Sequence, residues 1–300
     1  MSDDLRITER PNPATADLDR LSPLELVRVI QREDRGVFDA VARCEAQVAR
    51  AVEAIVASFR HGGRLIYVGA GTSGRLGVLD ASECPPTFNT PPEQVVGIIA
   101  GGDHALRNPI EGAEDDPRAG ARAVEEAQVA AADTVCGITA SGRTPYVQGA
   151  LELARARGAF TVLVTCNASA ELSGAADCVI APETGPEVVA GSTRLKAGTA
   201  TKLVLNTLTT ASLALSGKVY SNLMVDVRPT NEKLVARAQW LIRHLCGVGD
   251  AEAGTLLEAS GRNVKTAVVM AKKSVGRADA ERLLADCGGR LRVALGEEER

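Results

Sequence analysis

The sequence predicts an α/β protein: a three-layer arrangement in which a parallel sheet is flanked by helices, with a small all-helical subdomain at the C-terminus. Short apolar runs alternate with helical patterns between about residues 64 and 181. These runs are continuously apolar, which is typical of parallel strands buried on both faces. After Gly191 the pattern is helical throughout. The sheet is therefore expected first along the chain, and the helical subdomain after it.

The predicted elements follow in chain order. Residues 1–20 form an irregular polar arm. A helix begins at Ser22-Pro23, because serine can cap a helix and proline fits its first turn. Helical patterning continues to Phe59 and ends at His61-Gly62-Gly63. The predicted strands cover residues 64–69, 95–100, 134–140, 160–165 and 177–181. The later helices are predicted at residues 193–216, 230–246, 250–259, 263–273 and 277–286.

Composition and charge exclude several classes of partner. The net charge is −4, the isoelectric point is near 5.6 and only 3% of residues are aromatic, which argues against a nucleic-acid partner. No apolar stretch is long enough to span a bilayer. Residues 1–6 lack the basic-then-apolar pattern of a secretion signal. We therefore expect a cytoplasmic protein with neither a membrane nor a nucleic acid as partner.

The cysteines and histidines do not form a metal-binding pattern. Seven cysteines are scattered along the chain without a Cys-x-x-Cys pair, and His61, His104 and His244 lie far apart. Cys136, Cys166 and Cys178 fall in strand-like apolar runs, where reduced core thiols are expected. The sequence therefore argues against a zinc site, and no metal or other cofactor is expected.

Two loops of glycine and hydroxyl residues each follow a predicted strand and precede a helix. Residues 69–75 follow the apolar run 65–68, and residues 141–146 follow the run 134–139. Each loop presents backbone N–H groups, hydroxyls and a helix N-terminus to an anion. Two such loops at the carboxyl ends of strands in one sheet predict a site for a small phosphorylated ligand. The predicted ligand-binding residues are Gly71, Thr72, Ser73, Ser141, Gly142 and Thr144.

Three other interpretations of these loops are less favoured. Residues 69–74 match the glycine pattern of dinucleotide-binding sites, but the acidic residue expected about 20 positions later is not clearly placed. Neither loop is followed by the phosphate-binding lysine of the Walker A motif, which argues against a nucleoside-triphosphatase. Both loops could also be tight strand–helix turns that need glycine for their backbone alone. The parallel occurrence of two loops favours phosphate binding.

Glu83 is the candidate general acid. It precedes Pro85, which disfavours helical geometry at Cys84, so the helix that starts near Ser73 is expected to end near Glu83. The negative end of a helix dipole and a partly desolvated cleft both favour a neutral carboxyl. A general acid needs that protonated state. The alternative is a solvated glutamate at a helix end.

Glu114 is the candidate general base. It lies in the acidic stretch 111–116, just before Pro117, which can open a helix. A helix N-terminus keeps a nearby carboxylate ionised, as a base requires, and one fold could then hold two carboxylates in opposite states. The alternative is that these acids only complement the helix dipole.

Two further residues are candidates for ligand contacts. Ser192, placed to open the long helix, is either a further substrate contact or a simple N-cap. Lys265 could reach a ligand from the helical subdomain, although a solvated lysine is the plainer expectation.

The sequence resembles the N-acetylmuramic acid 6-phosphate etherases over nearly its whole length. The stretch 67–87, with Gly-Thr-Ser-Gly-Arg at 71–75 and Ser-Glu-Cys-Pro-Pro at 82–86, is similar to the signature of that family. Further similar stretches are Glu111–Asp115, Ser141–Tyr146, Gly191–Ala200, Asn222–Val227, Thr8–Arg10 and Asn263–Ala267. Thr139 departs from the pattern, where a smaller residue is expected.

The resemblance implies a sugar isomerase (SIS) domain over residues 50–220, between an N-terminal arm with helices at 1–49 and a C-terminal helical subdomain at 221–300. It implies a homodimer and a lyase. The lyase cleaves the lactyl ether of N-acetylmuramic acid 6-phosphate to N-acetylglucosamine 6-phosphate and D-lactate, in cell-wall recycling. It also implies that Glu83 is the proton donor and that Glu114 is catalytic.

Two rival functions remain open at this point. An aldose–ketose isomerase on the same fold also needs a base at C2 of the sugar, but no proton donor directed at C3. A sugar-phosphate sensor similar to the glucokinase regulatory protein would bind without turnover. That protein carries two SIS domains, whereas one set of loops is present here.

Overall fold

The computed structural model describes residues 7–227 and 229–297. The expected absence of a secretion signal at residues 1–6 lies outside these residues. Five parallel strands form one sheet in the order β2-β1-β3-β4-β5. The strands are β1 (Leu65–Gly69), β2 (Val95–Ile99), β3 (Thr134–Ile138), β4 (Phe160–Val164) and β5 (Cys178–Ile180). Each observed strand lies within its predicted range, because continuous apolar runs mark buried parallel strands.

Helices flank the sheet and then continue alone to the end of the described chain. Those before and within the sheet region are α1 (Pro23–Ala42), α2 (Glu45–Arg60), α3 (Gly71–Phe88), α4 (Pro117–Glu126) and α5 (Pro145–Ala156). Those after it are α6 (Lys196–Leu213), α7 (Glu232–Cys246), α8 (Asp250–Ala259), α9 (Val264–Lys273), α10 (Arg277–Asp286) and α11 (Leu291–Leu295). A π-helical turn, Ala214–Lys218, extends α6. The predicted helix at 193–216 begins three residues later than expected, and α11 was not predicted.

The start of α1 follows from its sequence as expected. The Ser22 backbone N–H donates to the Glu25 carboxylate at 2.9 Å, and Pro23 occupies the first turn. This is the reciprocal pairing of a capping box. The predicted arm before α1 contains three short 3₁₀ turns between Ile7 and Arg20.

The apolar strand residues form the core between the sheet and its flanking helices. Ile66, Val68, Val135 and Leu163 are fully buried in one cluster with residues of α5, while α2 contacts β1, β3 and β5. Cys136, Cys166 and Cys178 are buried, as predicted, and no disulfide joins the seven cysteines.

Helices α4 and α5 cross at a distance that only glycine permits. A Cβ at Gly120 would lie 1.8 Å from the Tyr146 carbonyl oxygen, and one at Gly149 would lie 1.8 Å from the Pro117 carbonyl oxygen. Backbone therefore meets backbone at the starts of both helices. This close crossing fixes the segment before α4 against the first turn of α5.

The chain packs as two compact units. The first comprises Met1–Ser82 and Glu93–Thr209, and it contains the sheet. The second comprises Glu83–Pro92 and Thr210–Arg300. Among the described residues, no helix combines the length and apolar character that crossing a membrane requires.

A buried charge cluster lies in the second unit. Lys265 Nζ is 3.1 Å from the Asp226 carboxylate and donates to the Gly289 carbonyl at 3.0 Å, while Lys218 Nζ is 2.8 Å from the same carboxylate. Burial lowers the pKa of Lys265, and the negative charge of Asp226 opposes that effect. The expectation of a solvated Lys265 is therefore wrong: this lysine ties together three segments of the helical unit.

Asp133 ties the amino ends of β1 and β3 together. Its carboxylate accepts from the Arg64 backbone N–H at 2.8 Å, from Arg64 Nη2 at 2.8 Å and from the Ala130 N–H at 3.0 Å. Burial of Asp133 would raise its pKa, but the hydrogen bonds from Arg64 and Ala130 outweigh it and hold the pKa below its usual value. The ionised form thus stabilises the fold.

We predict that Asp133→Asn lowers the free energy of unfolding by about 2 kcal/mol at pH 7, because charge-assisted hydrogen bonds are lost. Because the pKa of Asp133 is depressed in the folded state, its ionised carboxylate stabilises the fold at any pH above the unfolded-state pKa of about 4. This contribution disappears as the pH falls through the folded-state pKa. Urea unfolding between pH 7 and pH 3 should show the gap to wild type closing at the acid end. Glu125→Gln is the control: it removes an exposed ion pair with Arg157 and should change the free energy of unfolding little. A difference between Asp133→Asn and wild type that is equal at every pH would contradict the role given to the ionised Asp133.

Candidate functional site

The two predicted loops lie at the point where the order of the sheet reverses. β1 pairs with β2 on one side and with β3 on the other, and Gly69 is in register with both Ile99 and Ile138. The loops that follow β1 and β3 therefore leave neighbouring strands at the same edge. In open parallel sheets this switch point is where ligands bind.

The first loop presents unpaired donors at the start of α3. Gly71 has a φ of +53°, and a Cβ at Gly74 would lie 2.8 Å from the Gly69 carbonyl oxygen. Because α3 begins at Gly71, the N–H groups of Gly71, Thr72 and Ser73 have no acceptor within the helix, whereas the Gly74 N–H donates to the Ala70 carbonyl at 3.2 Å. The hydroxyls of Thr72 and Ser73 are half-buried and have no hydrogen-bond partner among the described residues. These donors are available to an anion, and the phosphate site at this loop stays a prediction.

The second loop is organised by a residue that the sequence analysis treated as a minor departure. Thr139 is buried, and its hydroxyl lies 2.8 Å from Thr144 Oγ1 and 3.3 Å from Ser141 Oγ. The Gly142 N–H points back to the Thr139 carbonyl at 3.3 Å. Thr139 therefore orients the two hydroxyls that were predicted to bind the ligand, whereas Gly142 serves the shape of the turn.

Gly142 is required at its position for two reasons. Its φ is +72°, in the left-handed region, and an added Cβ would lie 2.2 Å from the Ala170 Cβ. The turn thus packs directly on the segment that follows β4.

Glu114 is held beside the second loop by its backbone. Its carbonyl accepts from the Tyr146 N–H at 3.0 Å, in the first turn of α5 and two residues after Thr144. Asp116, not Glu114, caps α4 by accepting from the Arg118 N–H at 2.8 Å. The Glu114 carboxylate is exposed and has no hydrogen bond or ion pair among the described residues. The alternative of a helix-capping acid applies to Asp116 and leaves Glu114 available for chemistry.

Glu83 does not lie at a helix end, so that expectation is wrong. Helix α3 continues through Pro85 and Pro86 to Phe88, and the Asn89 N–H donates to the Pro85 carbonyl at 2.9 Å. Proline removes a donor without preventing helical φ, so the helix continues with two backbone hydrogen bonds missing. Glu83 is exposed, so the described chain alone does not provide the expected desolvated cleft.

Ser192 is not the N-cap of the long helix. Helix α6 begins at Lys196, and the Glu187 carboxylate accepts from the N–H groups of Lys196 and Ala197, both at 2.9 Å. The alternative of a simple N-cap at Ser192 is therefore wrong, and its hydroxyl has no partner among the residues described. A Cβ at Gly198 would lie 3.7 Å from Thr72 Cγ2, so the start of α6 adjoins the first loop.

Glu187 is a structural residue that the sequence analysis missed. It is fully buried; burial raises its pKa, and hydrogen bonds from the α6 backbone oppose that rise. The polar arm holds the same loop, because the Gly191 N–H donates to the Thr8 carbonyl at 3.0 Å and Thr15 Oγ1 donates to the Val188 carbonyl at 2.9 Å. No local pattern in the sequence links residues this far apart.

The two arginines of these loops already have partners within the described chain. The Arg143 guanidinium pairs with Glu171. Arg75 donates to the carbonyls of Ala105 at 2.7 Å and Leu106 at 3.0 Å. Hydroxyls, backbone N–H groups and helix N-termini therefore remain to hold an anion. With Glu114 next to them, these groups can orient a phosphorylated molecule and move a proton on it.

Comparisons with known proteins agree with this architecture. Residues 47–155 match the glucokinase regulatory protein N-terminal SIS domain, and residues 119–211 match the SIS domain. The chain is 52% identical to the N-acetylmuramic acid 6-phosphate etherase of Actinobacillus pleuropneumoniae, over 96% of this chain and 95% of the relative. It is 50% identical to the protein of the same name from Rhizobium rhizogenes, over 96% of this chain and 94% of the relative.

Among solved structures, the phosphoheptose isomerase of Neisseria gonorrhoeae is similar, with a TM-score of 0.46 and 14% identity. The similarity covers 63% of this chain and 97% of that one.

We predict that Gly142→Ala weakens the binding of inorganic phosphate at least about tenfold, because overpacking and a strained positive φ each cost about 1–3 kcal/mol. Isothermal titration calorimetry with phosphate, together with thermal unfolding, measures both effects. Gly174→Ala is the matched control, since a Cβ there meets nothing within 4 Å. Equal phosphate affinity in the two variants would contradict the role given to the second loop.

Proposed function

The chain belongs to the N-acetylmuramic acid 6-phosphate etherase family, whose members are lyases, and from this premise we propose how it acts. It cleaves the lactyl ether of N-acetylmuramic acid 6-phosphate and releases D-lactate and N-acetylglucosamine 6-phosphate. One observation carries the proposal: two hydroxyl-bearing loops follow neighbouring strands at the switch point of the sheet, and the backbone of Glu114 is hydrogen-bonded to the helix that follows the second loop.

The 6-phosphate binds between the two loops. Thr72 and Ser73 donate from the first loop, and Ser141 and Thr144 donate from the second. Gly71 and Gly142 give the loops their turns, and Ser192 adds a contact from the segment before α6. Binding the remote phosphate fixes the sugar relative to the catalytic groups, which converts binding energy into orientation.

The two carboxyl groups then carry out elimination and hydration. In the ring-opened sugar the C1 aldehyde acidifies the proton on C2. Glu114 removes that proton while Glu83 protonates the ether oxygen on C3, so the C3–O bond breaks and D-lactate leaves. Water adds at C3 of the unsaturated aldehyde, and C2 regains a proton. Each positioned proton transfer contributes roughly 10²–10⁴-fold to the rate.

The parts of the chain have separate tasks in this proposal. Residues 50–220 form the SIS domain that holds the sugar phosphate, residues 1–49 supply the arm and first helices, and residues 221–300 form the helical subdomain. The enzyme acts in the cytoplasm, on amino sugars recovered from the cell wall.

Glu83→Gln should abolish D-lactate release while the exchange of the C2 hydrogen with deuterated solvent continues, because Glu114 still removes that proton. Glu114→Gln should abolish both reactions. An enzymatic D-lactate assay and proton NMR of the sugar measure the two steps.

Glu111→Gln is the control for these variants, since Glu111 is an exposed acid of the same segment and should leave both reactions unchanged. Lactate release by Glu83→Gln at the wild-type rate would remove Glu83 from the mechanism. A ketose product would favour the isomerase, and binding without any product would favour the sensor.

The protein acts as a homodimer, and α1 supplies part of the interface. Leu24, Val27, Ile30 and Phe38 are between 40% and 65% exposed and lie within one stripe along this helix. Exposed apolar side chains that share one face of a surface helix are typical of a protein interface. A second copy, which presents the same stripe, is the occupant that a twofold axis provides.

Phe38→Asp should convert the dimer to a monomer, because a charge in the apolar stripe would be buried without a partner. Size-exclusion chromatography with light scattering measures the mass. Thr255→Asp adds the same charge at an exposed position of α8 and should leave the dimer intact. A Phe38→Asp variant that stays dimeric at micromolar concentration would place the interface elsewhere.

A further inference from the structure

We propose that Arg194 recognises the lactyl carboxylate of the substrate and so determines which sugar 6-phosphates react. The proposed substrate carries two anionic groups, the 6-phosphate and the carboxylate of the lactyl ether. The two loops account for the phosphate alone. This inference rests on the proposed function and adds to it the residue that selects the ether-bearing sugar.

Arg194 is a cation without a partner among the described residues. Its side chain is exposed, and no carboxylate or carbonyl of the described chain pairs with it. The Glu9 carboxylate lies beside Gly191, where an added Cβ would be 2.9 Å from Glu9 Oε2, yet Glu9 forms no ion pair with Arg194. The guanidinium therefore keeps its five N–H donors for a ligand.

Neighbouring cations differ from Arg194 because each already has an acceptor. Arg75, in the first loop, donates to backbone carbonyls after β2, and Arg143, in the second loop, pairs with a glutamate. Lys196, at the start of α6, is buried and its Nζ lies 3.1 Å from the Glu33 carboxylate. A second anionic group of the ligand would thus find these three cations engaged and Arg194 available.

The backbone of Arg194 adjoins the first loop, within the first compact unit. A Cβ at Gly198 would lie 3.4 Å from the Thr193 carbonyl oxygen and 3.7 Å from Thr72 Cγ2. That carbonyl belongs to the peptide bond between Thr193 and Arg194. The Arg194 Cα therefore lies within about 10 Å of the Thr72 methyl group.

The dimensions of the substrate agree with this position. A path of about eight single bonds joins the phosphorus to the carboxyl carbon of the lactyl group, which gives about 10 Å when the path is extended. An extended arginine side chain carries its guanidinium about 6 Å from its Cα. With the phosphate at Thr72, the guanidinium and the lactyl carboxylate can therefore occupy the same region.

The chemistry of arginine suits this task. Its planar guanidinium donates two parallel hydrogen bonds to one carboxylate, and the opposite charges strengthen both bonds. N-acetylglucosamine 6-phosphate lacks the lactyl group and makes no such contact. Arg194 therefore favours the intact ether over the sugar phosphate that remains after cleavage.

Arg194→Gln tests the proposal because it removes the charge from an exposed position. We expect kcat/KM for D-lactate release to fall about 10- to 100-fold, since hydrogen bonds to a charged group are lost. The dissociation constant of N-acetylglucosamine 6-phosphate should change less than about twofold, because its phosphate stays on the two loops. Arg194→Lys, which keeps the charge without the paired geometry, should recover part of the lost kcat/KM.

A substrate analogue separates recognition from folding. In this analogue the lactyl carboxylate of N-acetylmuramic acid 6-phosphate is converted to the primary amide. With the wild-type chain, kcat/KM for the amide should be about 10- to 100-fold below that for the acid. With Arg194→Gln the two should react about equally, because the interacting group is already gone. A wild type that cleaves both equally, or a variant that keeps the full preference for the acid, would overturn the proposal.

Arg107→Gln is the matched control. Arg107 is exposed and follows β2 at the same edge of the sheet, and its side chain has no partner among the residues described. This variant should keep the wild-type preference for the acid over the amide. Loss of the preference in Arg107→Gln, with the preference intact in Arg194→Gln, would overturn the assignment to Arg194.

The outcomes separate this inference from the proposed function. A wild-type protein that releases no D-lactate from N-acetylmuramic acid 6-phosphate would overturn the proposed function and the role of Arg194 with it. An active wild type whose Arg194→Gln variant keeps the preference for the acid would overturn the role of Arg194 alone.

Discussion

Because β1 lies between β2 and β3, the chain leaves β1 on one side of the sheet and β3 on the other, and the loops that follow them are left facing one crevice. Every other feature of the site depends on this order. The register that aligns Gly69 with Ile138 places the starts of α3 and α5 next to each other. We propose that the two helix N-termini and their hydroxyls hold one phosphate group between them.

The structure separates charges that hold the fold from charges that are free to react. Asp133, Glu187 and Asp226 are buried and each accepts from backbone or cationic donors. Glu83 and Glu114 are exposed and have no such donors in the described chain. A carboxylate thus stabilises the fold where it has hydrogen-bond donors, and it is available for chemistry where it has none. Its partners in the folded structure, and not the residues next to it in the sequence, make this difference.

The sheet and the two loops could be predicted from the sequence, since continuous apolar runs and glycine-hydroxyl turns are local signals. The path of α3 could not, because the effect of Pro85 on the preceding residue is a preference that a packed helix overrides. Glu187 and Lys265 were also beyond local patterns: their partners lie 9 to 48 residues away, on other segments. The role of Thr139 could not be predicted either, because it depends on how its hydroxyl is oriented relative to those of Ser141 and Thr144 in the folded loop.

The central claim is that the crevice between the β1 and β3 loops holds a sugar 6-phosphate. A crystal structure with N-acetylglucosamine 6-phosphate tests it most directly. The account predicts phosphate oxygens within about 3 Å of the hydroxyls of Thr72 or Ser73 and of Ser141 or Thr144. A phosphate bound at any other edge of the sheet, or on the helical unit, would contradict it.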